Sequence, residues 1–213
     1  MDVLAIYQWF QANLNYWTIV LLMAIESSFI PFPSEVVVPP AAYFAMHNDQ
    51  LNIFLIVIFA TLGALIGALI NYYLALWVGR PIIYKFANSR LGHICLLNDE
   101  KVAKAEQYFE KHGAISTFIG RLIPAVRQLI SIPAGLSRMH LGKFVLYTSL
   151  GAGAWNIVLA SLGYWLSLFV PQDRLMQEIE HYNSYLSIAG YILGAIIVVF
   201  IIYNIFKKKP NNN

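Results

Sequence analysis

The chain has 213 residues, of which 59% are apolar, 15% aromatic and only 12% charged, about half the charged share of an ordinary soluble protein. At a mean hydropathy of +0.60, a domain of 24.1 kDa has too little interior to hide that many apolar side chains, which excludes a soluble enzyme and a disordered tail. Cys95 is the only cysteine, so disulfide scaffolds and cysteine-based metal sites are excluded too, and the net charge of +3 comes without a basic, aromatic-lined stripe that would suit nucleic acid.

The composition is that of an integral membrane protein, and its elements follow in chain order. Residues 1–15 read as an N-terminal interfacial segment, with no positive cluster or small-residue cleavage site of a removed signal peptide. The apolar stretch 16–46 is interrupted by Glu26, by Pro31-Phe32-Pro33-Ser34-Glu35 and by Pro39-Pro40. Proline inside a helix removes a hydrogen bond and clashes with the preceding turn. Irregular backbone at membrane depth survives only when buried in protein or lining a wet cavity. The stretch therefore predicts a re-entrant helical hairpin. Between Asp49 and Arg80 lie 30 residues without charge, and a spanning helix needs about 20. The first full span is placed at 52–78, with Trp77 at an interface and Gly63 and Gly67 as a small-xxx-small packing pair.

The loop 79–112 contains a predicted helix capped by Asn98 and opening Asp99-Glu100, with Val102, Ala105 and Phe109 on one face and Gly113 ending it. Its acidic start and Lys111 near its end suit the helix dipole, and it is expected to lie on the cytoplasmic membrane surface. Residues 113–139 contain Arg121, Pro124, Arg127, Pro133 and Gly135 and read as a second re-entrant hairpin. Uncharged gaps of 29 and 25 residues, after Lys143 and after His181, place further spans at 143–169 and 186–206. Gly151 and Gly153 allow close helix contact, and Tyr164, Trp165 and Tyr203 suit interfacial belts. Residues 171–213 then form an external loop, the last span and a basic cytoplasmic tail.

Orientation follows from the positive charges. With Lys207-Lys208-Lys209 inside, the loop 80–111, Arg138, Lys143 and the tail place eleven positive residues inside, against Arg174 alone outside. The first hairpin then opens to the exterior and the second to the cytoplasm. The fold class expected is an all-α polytopic membrane protein with two re-entrant hairpins and about three full spans, built as an inverted repeat of the kind that binds substrate at broken helices near the midplane.

Four ionisable residues lie inside the hairpins: Glu26 and Glu35 in the first, Arg121 and Arg127 in the second. Each costs about 2.5–3.5 kcal/mol at a membrane helix centre even on lenient insertion scales, so they are expected to face one another or water. Structural ion pairing is the simplest reading. Against it, the acids and arginines meet only where the two repeats meet. Arg121 and Arg127 flank Pro124, and the guanidinium fork matches a phosphate. A carboxylate in the same cavity can take up a proton when the arginines turn to a substrate anion. The breaks are expected at Pro31, Pro33, Pro124, Pro133 and Gly135. Asn71 and Asn156, inside spans, are expected to hydrogen-bond between helices. The histidines at 47, 93, 112, 140 and 181 have no metal-ligand spacing, and no catalytic motif, metal site or cofactor is expected.

Glu26 with Phe29-Ile-Pro-Phe-Pro-Ser-Glu35, then Gly120-Arg-Leu-Ile-Pro-Ala-Val-Arg127 and Pro133-Ala-Gly-Leu-Ser-Arg-Met139, resembles the bacterial DedA family, which is related to the SNARE-associated or VTT-domain lipid scramblases. The resemblance covers about residues 16–170. It implies a polytopic inner-membrane protein that translocates lipid, with recycling of undecaprenyl phosphate as the best-supported bacterial role. It also implies that Glu26, Glu35, Arg121 and Arg127 match the two acids and two arginines on which family members depend. The function expected is flipping of a polyprenyl phosphate, with Arg121 and Arg127 binding substrate and Glu26 and Glu35 coupling protons. The alternatives are a phosphatidylethanolamine translocase or scramblase, a proton or ion antiporter, and a lipid phosphatase. The expected partners are membrane lipids and polyprenyl phosphate, with self-association into a homo-oligomer left open.

Overall fold

Asn15 opens the first helix: its backbone is extended and its Oδ1 accepts the Thr18 N–H at 3.0 Å, satisfying one of the donors that a helix start leaves free. The structure is a computed structural model that describes residues 12–28, 34–47, 51–79, 99–124 and 126–175, with single positions at 81, 82, 85, 177–179, 181, 182, 185, 188 and 192. Helix α1 (Tyr16–Glu26) ends at Ser27, and a 3₁₀ turn (Ser34–Val36) leads into α2 (Val38–Ala45). Helix α3 (Ile53–Leu74) is capped by Asn52 Oδ1, which accepts the Phe54 N–H at 2.9 Å, and it runs on into a π-helical turn (Ala75–Gly79). Helices α4 (Asp99–Leu122), α5 (Ser131–Leu136) and α6 (Leu141–Phe169) follow, then a 3₁₀ turn (Gln172–Arg174). Every described element is helical.

Among the described residues two helices are long and apolar enough to cross a membrane: Ile53–Trp77, of 25 residues, and Leu141–Phe169, of 29. They match the expected spans 52–78 and 143–169. The expected span 186–206, the cap Asn98 and the breaks at Pro31 and Pro33 lie outside the described residues.

Three expectations are corrected. Gly113 does not end a helix, because α4 continues through it to Leu122, so the loop 79–112 and the segment 113–139 share one helix. A glycine inside a helix costs only about 1 kcal/mol relative to alanine, and here the missing side chain leaves room: a Cβ would stand 2.9 Å from the Phe109 ring and 3.2 Å from Met139 Sδ. Pro39-Pro40 does not interrupt a helix but starts one, lying in the first turn of α2, where a backbone N–H has no intrahelical acceptor to lose. Likewise Pro133 and Gly135 lie within α5 rather than at a break. That helix ends through Arg138 in the left-handed region (φ 52°), with the Met139 N–H bonded to Ala134 O at 3.0 Å, a common helix-ending geometry.

Helices α3 and α6 pack on each other, and the shorter helices are shared between them. Helix α1 lies along α3 and α4 along α6, while α2 packs on α6 and α5 on α3 and its π-helical turn. Each helix–break–helix unit thus sets its first limb on the long helix that follows it and its second limb on the other one.

Along most of its length α3 is small and polar inside, between buried Ile56 and Tyr72, and large and apolar outside, while α6 buries both small residues and Phe144, Trp155, Leu159 and Leu166. The buried face of α3 carries Ala60, Gly63, Ala64, Gly67, Ala68 and Asn71, while Phe54, Ile58, Leu62, Ile66 and Ile70 are exposed. That polarity is reversed from a soluble helix and is what lipid selects, since tails solvate large apolar groups and small residues let helices approach. Gly67 meets Ala24 O and would place a Cβ 2.9 Å from Ser27 Cβ; a Cβ on Gly151 would stand 2.6 Å from Arg121 Cβ and 2.9 Å from Phe118 O. Gly153 faces Thr61 at an ordinary 3.7 Å. Gly67→Ala and Gly151→Ala are therefore expected to destabilise the protein by about 1–3 kcal/mol each through overpacking, whereas Gly153→Ala, with only ordinary contacts, is expected to stabilise it by up to about 1 kcal/mol. Melting temperatures of the purified variants in detergent check this.

Candidate functional site

The chain breaks carry the charges. Glu26 is the last residue of α1 and Glu35 the middle residue of the 3₁₀ turn before α2. Arg121 ends α4 with Leu122, because Pro124 brings no N–H and disfavours helical backbone before it. Arg127 sits in the turns that follow, its N–H bonded to Ile123 O at 2.9 Å. All four are buried, at 2%, 6%, 2% and 7% exposure in that order.

They meet in one cluster. Arg127 Nη2 lies 3.2 Å from Glu26 Oε1 and also 3.2 Å from Glu35 Oε1, to which it donates a hydrogen bond; the Glu26 contact is off the hydrogen-bonding direction. Its guanidinium carbon stands 5.3 Å from the centre of the Trp155 ring, a cation–π distance. Arg121 is held instead by hydroxyls, donating from Nη1 to Ser27 Oγ at 3.3 Å and from Nη2 to Ser131 Oγ at 3.0 Å. Ser27 in turn donates to Glu26 Oε2 at 3.0 Å, which joins the two arginines through one serine. Two guanidiniums and two carboxyl groups can balance one another in charge. Neutrality matters here, since removing one partner of a buried ion pair costs about 3–5 kcal/mol.

Asn71, on α3, ties the two breaks together: its Nδ2 donates to Ser27 O at 3.2 Å and to Gln128 O at 3.4 Å. Asn156, on α6, donates to Thr61 Oγ1 on α3 at 3.2 Å. The cluster borders a cavity of about 10 Å³ lined by Glu26, Ser34, Arg121, Arg127 and Trp155 among others, room for roughly one water. In this arrangement each arginine uses part of its fork on internal partners, Arg127 on carboxylates and Arg121 on hydroxyls.

Glu26, Glu35, Arg121 and Arg127 are thus brought together, with Pro124 in the turn between the arginines. Sequence reasoning missed Ser27, Ser34, Ser131 and Trp155. The serines left little signal beyond their closeness to charged residues. Trp155 left one: it lies mid-helix in α6, away from the interfaces that tryptophan prefers. Among the described residues no group of three His, Cys, Asp or Glu is placed to hold a metal ion.

Known proteins resemble the chain in sequence over most of its length. The VTT domain matches residues 32–165. The chain is 37% identical over 195 residues to a protein named "Alkaline phosphatase-like protein" from Lactococcus lactis subsp. lactis, covering 92% of this chain and 87% of that one. It is 30% identical over 200 residues to "Undecaprenyl phosphate transporter A" from Staphylococcus aureus, covering 94% and 95%. To "Protein DedA" from Escherichia coli it is 26% identical over 152 residues, covering 71% and 66%. No solved structure matches the chain. With its spans, its paired breaks and this match, the chain belongs to the DedA family of VTT-domain membrane proteins.

Proposed function

We propose that this protein moves a polyprenyl phosphate of the undecaprenyl class across the bacterial cytoplasmic membrane, from the outer to the inner leaflet, so that the carrier lipid can be reused. The observation that carries the reading is the cluster of two acids and two arginines at the breaks, where two guanidiniums are buried beside a cavity with part of their forks unused. The Staphylococcus aureus relative's name agrees with it. In this reading Arg121 and Arg127 receive the phosphate while the isoprenoid tail stays in lipid, and the head group avoids the hydrocarbon, where an unpaired charge is very costly.

Proton coupling follows from the same contacts. Arg127 cannot lose its proton, so it changes partners only when a carboxylate is neutralised or replaced. Protonation of Glu35 or Glu26 weakens the hold on Arg127 and releases its fork to phosphate; departure of the phosphate restores the carboxylate. A negative interior opposes inward movement of an anion by about 2.3 kcal/mol per charge per 100 mV, and accompanying protons offset that work.

The two helix–break–helix units are taken as re-entrant hairpins in an inverted repeat, the first open to the exterior and the second to the cytoplasm, with the C-terminus inside. Support comes from the exchanged packing of their limbs on α3 and α6 and from the eleven-to-one distribution of positive residues. Carboxylates beside arginines also suit a zwitterionic head group, so a phosphatidylethanolamine translocase is the second reading. Purified protein in liposomes with labelled undecaprenyl phosphate tests both: leaflet exchange of that lipid supports the first, and exchange of phosphatidylethanolamine alone supports the second. Release of inorganic phosphate would favour the activity suggested by the Lactococcus lactis relative's name, and ion flux without lipid movement an antiporter.

Three outcomes are expected. Arg121→Lys and Arg127→Lys keep the charge but lose the fork, and each lowers transport about tenfold or more at equal protein level, as the loss of one charge-assisted bidentate contact implies; full transport by both would leave the arginines as structural charges. Glu35→Gln abolishes the pH dependence of transport and Glu35→Asp keeps part of it, whereas a Gln variant that follows the pH gradient like wild type would move the coupling elsewhere. In a Cys95-free background, a cysteine at position 2 is labelled from outside and one at position 212 only from inside; labelling of position 2 from the cytoplasm alone would mean that segment 16–46 crosses the membrane.

A further inference from the structure

Around the cavity, six polar atoms of its lining residues have no hydrogen-bond partner among the described residues: one acceptor, Glu26 Oε1, and five that can donate, Nε of Arg121, Nε and Nη1 of Arg127, the indole Nε1 of Trp155 and Oγ of Ser34. Trp155 is 9% exposed and Ser34 fully buried, so neither donor is satisfied by bulk solvent. Buried donors left unpaired are costly, and this many beside one cavity exceed what a single water, with two lone pairs, can accept. The internal carboxylates do not use them either, because Glu26 and Glu35 both approach Arg127 through Nη2. The unused donors belong to both helix–break–helix units and to α6. They form a set that an acceptor-rich ligand, and nothing in the closed cluster, would complete.

We propose that the Trp155 indole N–H and the Ser34 hydroxyl are the neutral donors of a phosphate seat and make it prefer a phosphate monoester to a phosphodiester. This rests on the reading of the protein as a carrier of lipid phosphate. A monoester presents three terminal oxygens and a diester only two, so a diester leaves more of these donors unpaired. Discrimination by leaving a site's buried donors unpaired is stronger than discrimination by shape or apolar contact. Trp155 has a second role in the same seat, since its ring lies against the Arg127 guanidinium and fixes the approach of that fork.

Trp155→Phe keeps an aromatic face beside Arg127 and removes the N–H together with one ring of the indole, so its packing cost is read from the ligand-free protein; Ser34→Ala removes the hydroxyl and little else. Binding is measured on the purified full chain in detergent with farnesyl phosphate as the monoester and a short-chain phosphatidylethanolamine as the diester. Melting temperatures of the ligand-free proteins are recorded alongside. Each variant is expected to bind farnesyl phosphate about tenfold more weakly, the effect of one lost buried hydrogen bond, with diester binding little changed; the ligand-free melting temperature of Ser34→Ala is expected to be no lower than wild type, and that of Trp155→Phe to fall through the space its lost ring leaves. In ¹⁵N-tryptophan-labelled wild type, the indole signal absent from Trp155→Phe should shift downfield on adding farnesyl phosphate. Wild-type affinity and preference in both variants would overturn the inference. So would a Trp155→Phe protein that melts lower and weakens for both ligands alike while Ser34→Ala binds as wild type, since that is the signature of a packing residue. If wild type itself binds no phosphate monoester, the transporter reading fails first and the inference falls with it.

Discussion

Everything in this molecule turns on placing four ionisable side chains of opposite sign against one another inside an apolar body. Glu26, Glu35, Arg121 and Arg127 are each at most 7% exposed, and none would be stable there alone. Neither unit can neutralise itself, because the acids lie in the first and the arginines in the second. The contact between Arg127 and the two carboxylates therefore holds the two breaks together as much as it prepares a site. Asn71 adds a second tie by donating to a carbonyl of each break, satisfying backbone groups that an interrupted helix leaves free.

The helices make that meeting possible by being thin where they touch. Gly67 lets α1 bring Ser27 against α3, and Gly151 lets α4 bring Arg121 against α6. The residues seated by the two glycines then bond to each other, Arg121 Nη1 to Ser27 Oγ. Close packing and site geometry are therefore one requirement: a methyl group at either glycine would displace a member of the cluster along with its helix. Most large apolar side chains of α3 are turned outward, where lipid accepts them without cost.

The cluster is closed, and its closure suggests how it works. In the proposed transport, with a cavity of about 10 Å³ beside the forks, room for an external anion is made when Arg127 releases a carboxylate and Arg121 its hydroxyl partners. An exchange between like-charged partners keeps the site near neutrality throughout, so the barrier is set by rearrangement rather than by exposing a bare charge to hydrocarbon. The serine between Glu26 and Arg121 gives that rearrangement a route from one half of the cluster to the other. A site fully satisfied by its own side chains would have no reason to open.

Much of this was legible in the sequence. Charge-free runs fixed the spans because hydrocarbon thickness demands a set length, and Ile53–Trp77 and Leu141–Phe169 fall where those runs do. The four buried charges stood out because their segments are otherwise uncharged, with Arg138 only at the very end of the second, and complementary signs on different segments implied that they would meet. Proline was a poorer guide: Pro124 lies at a break, but Pro39, Pro40 and Pro133 lie within short helices, since sequence alone does not say whether a proline falls in a first turn or an interior one. Gly113 misled for a similar reason, its missing side chain serving Phe109 and Met139 rather than a helix end. Only the tertiary structure decided which partners each arginine takes, that Arg121 rests on hydroxyls while Arg127 rests on carboxylates, and that Trp155 and Ser34 face the same cavity. Those facts depend on distances between helices remote in sequence, and a pattern read along one chain carries no information about where serine and tryptophan side chains converge in space.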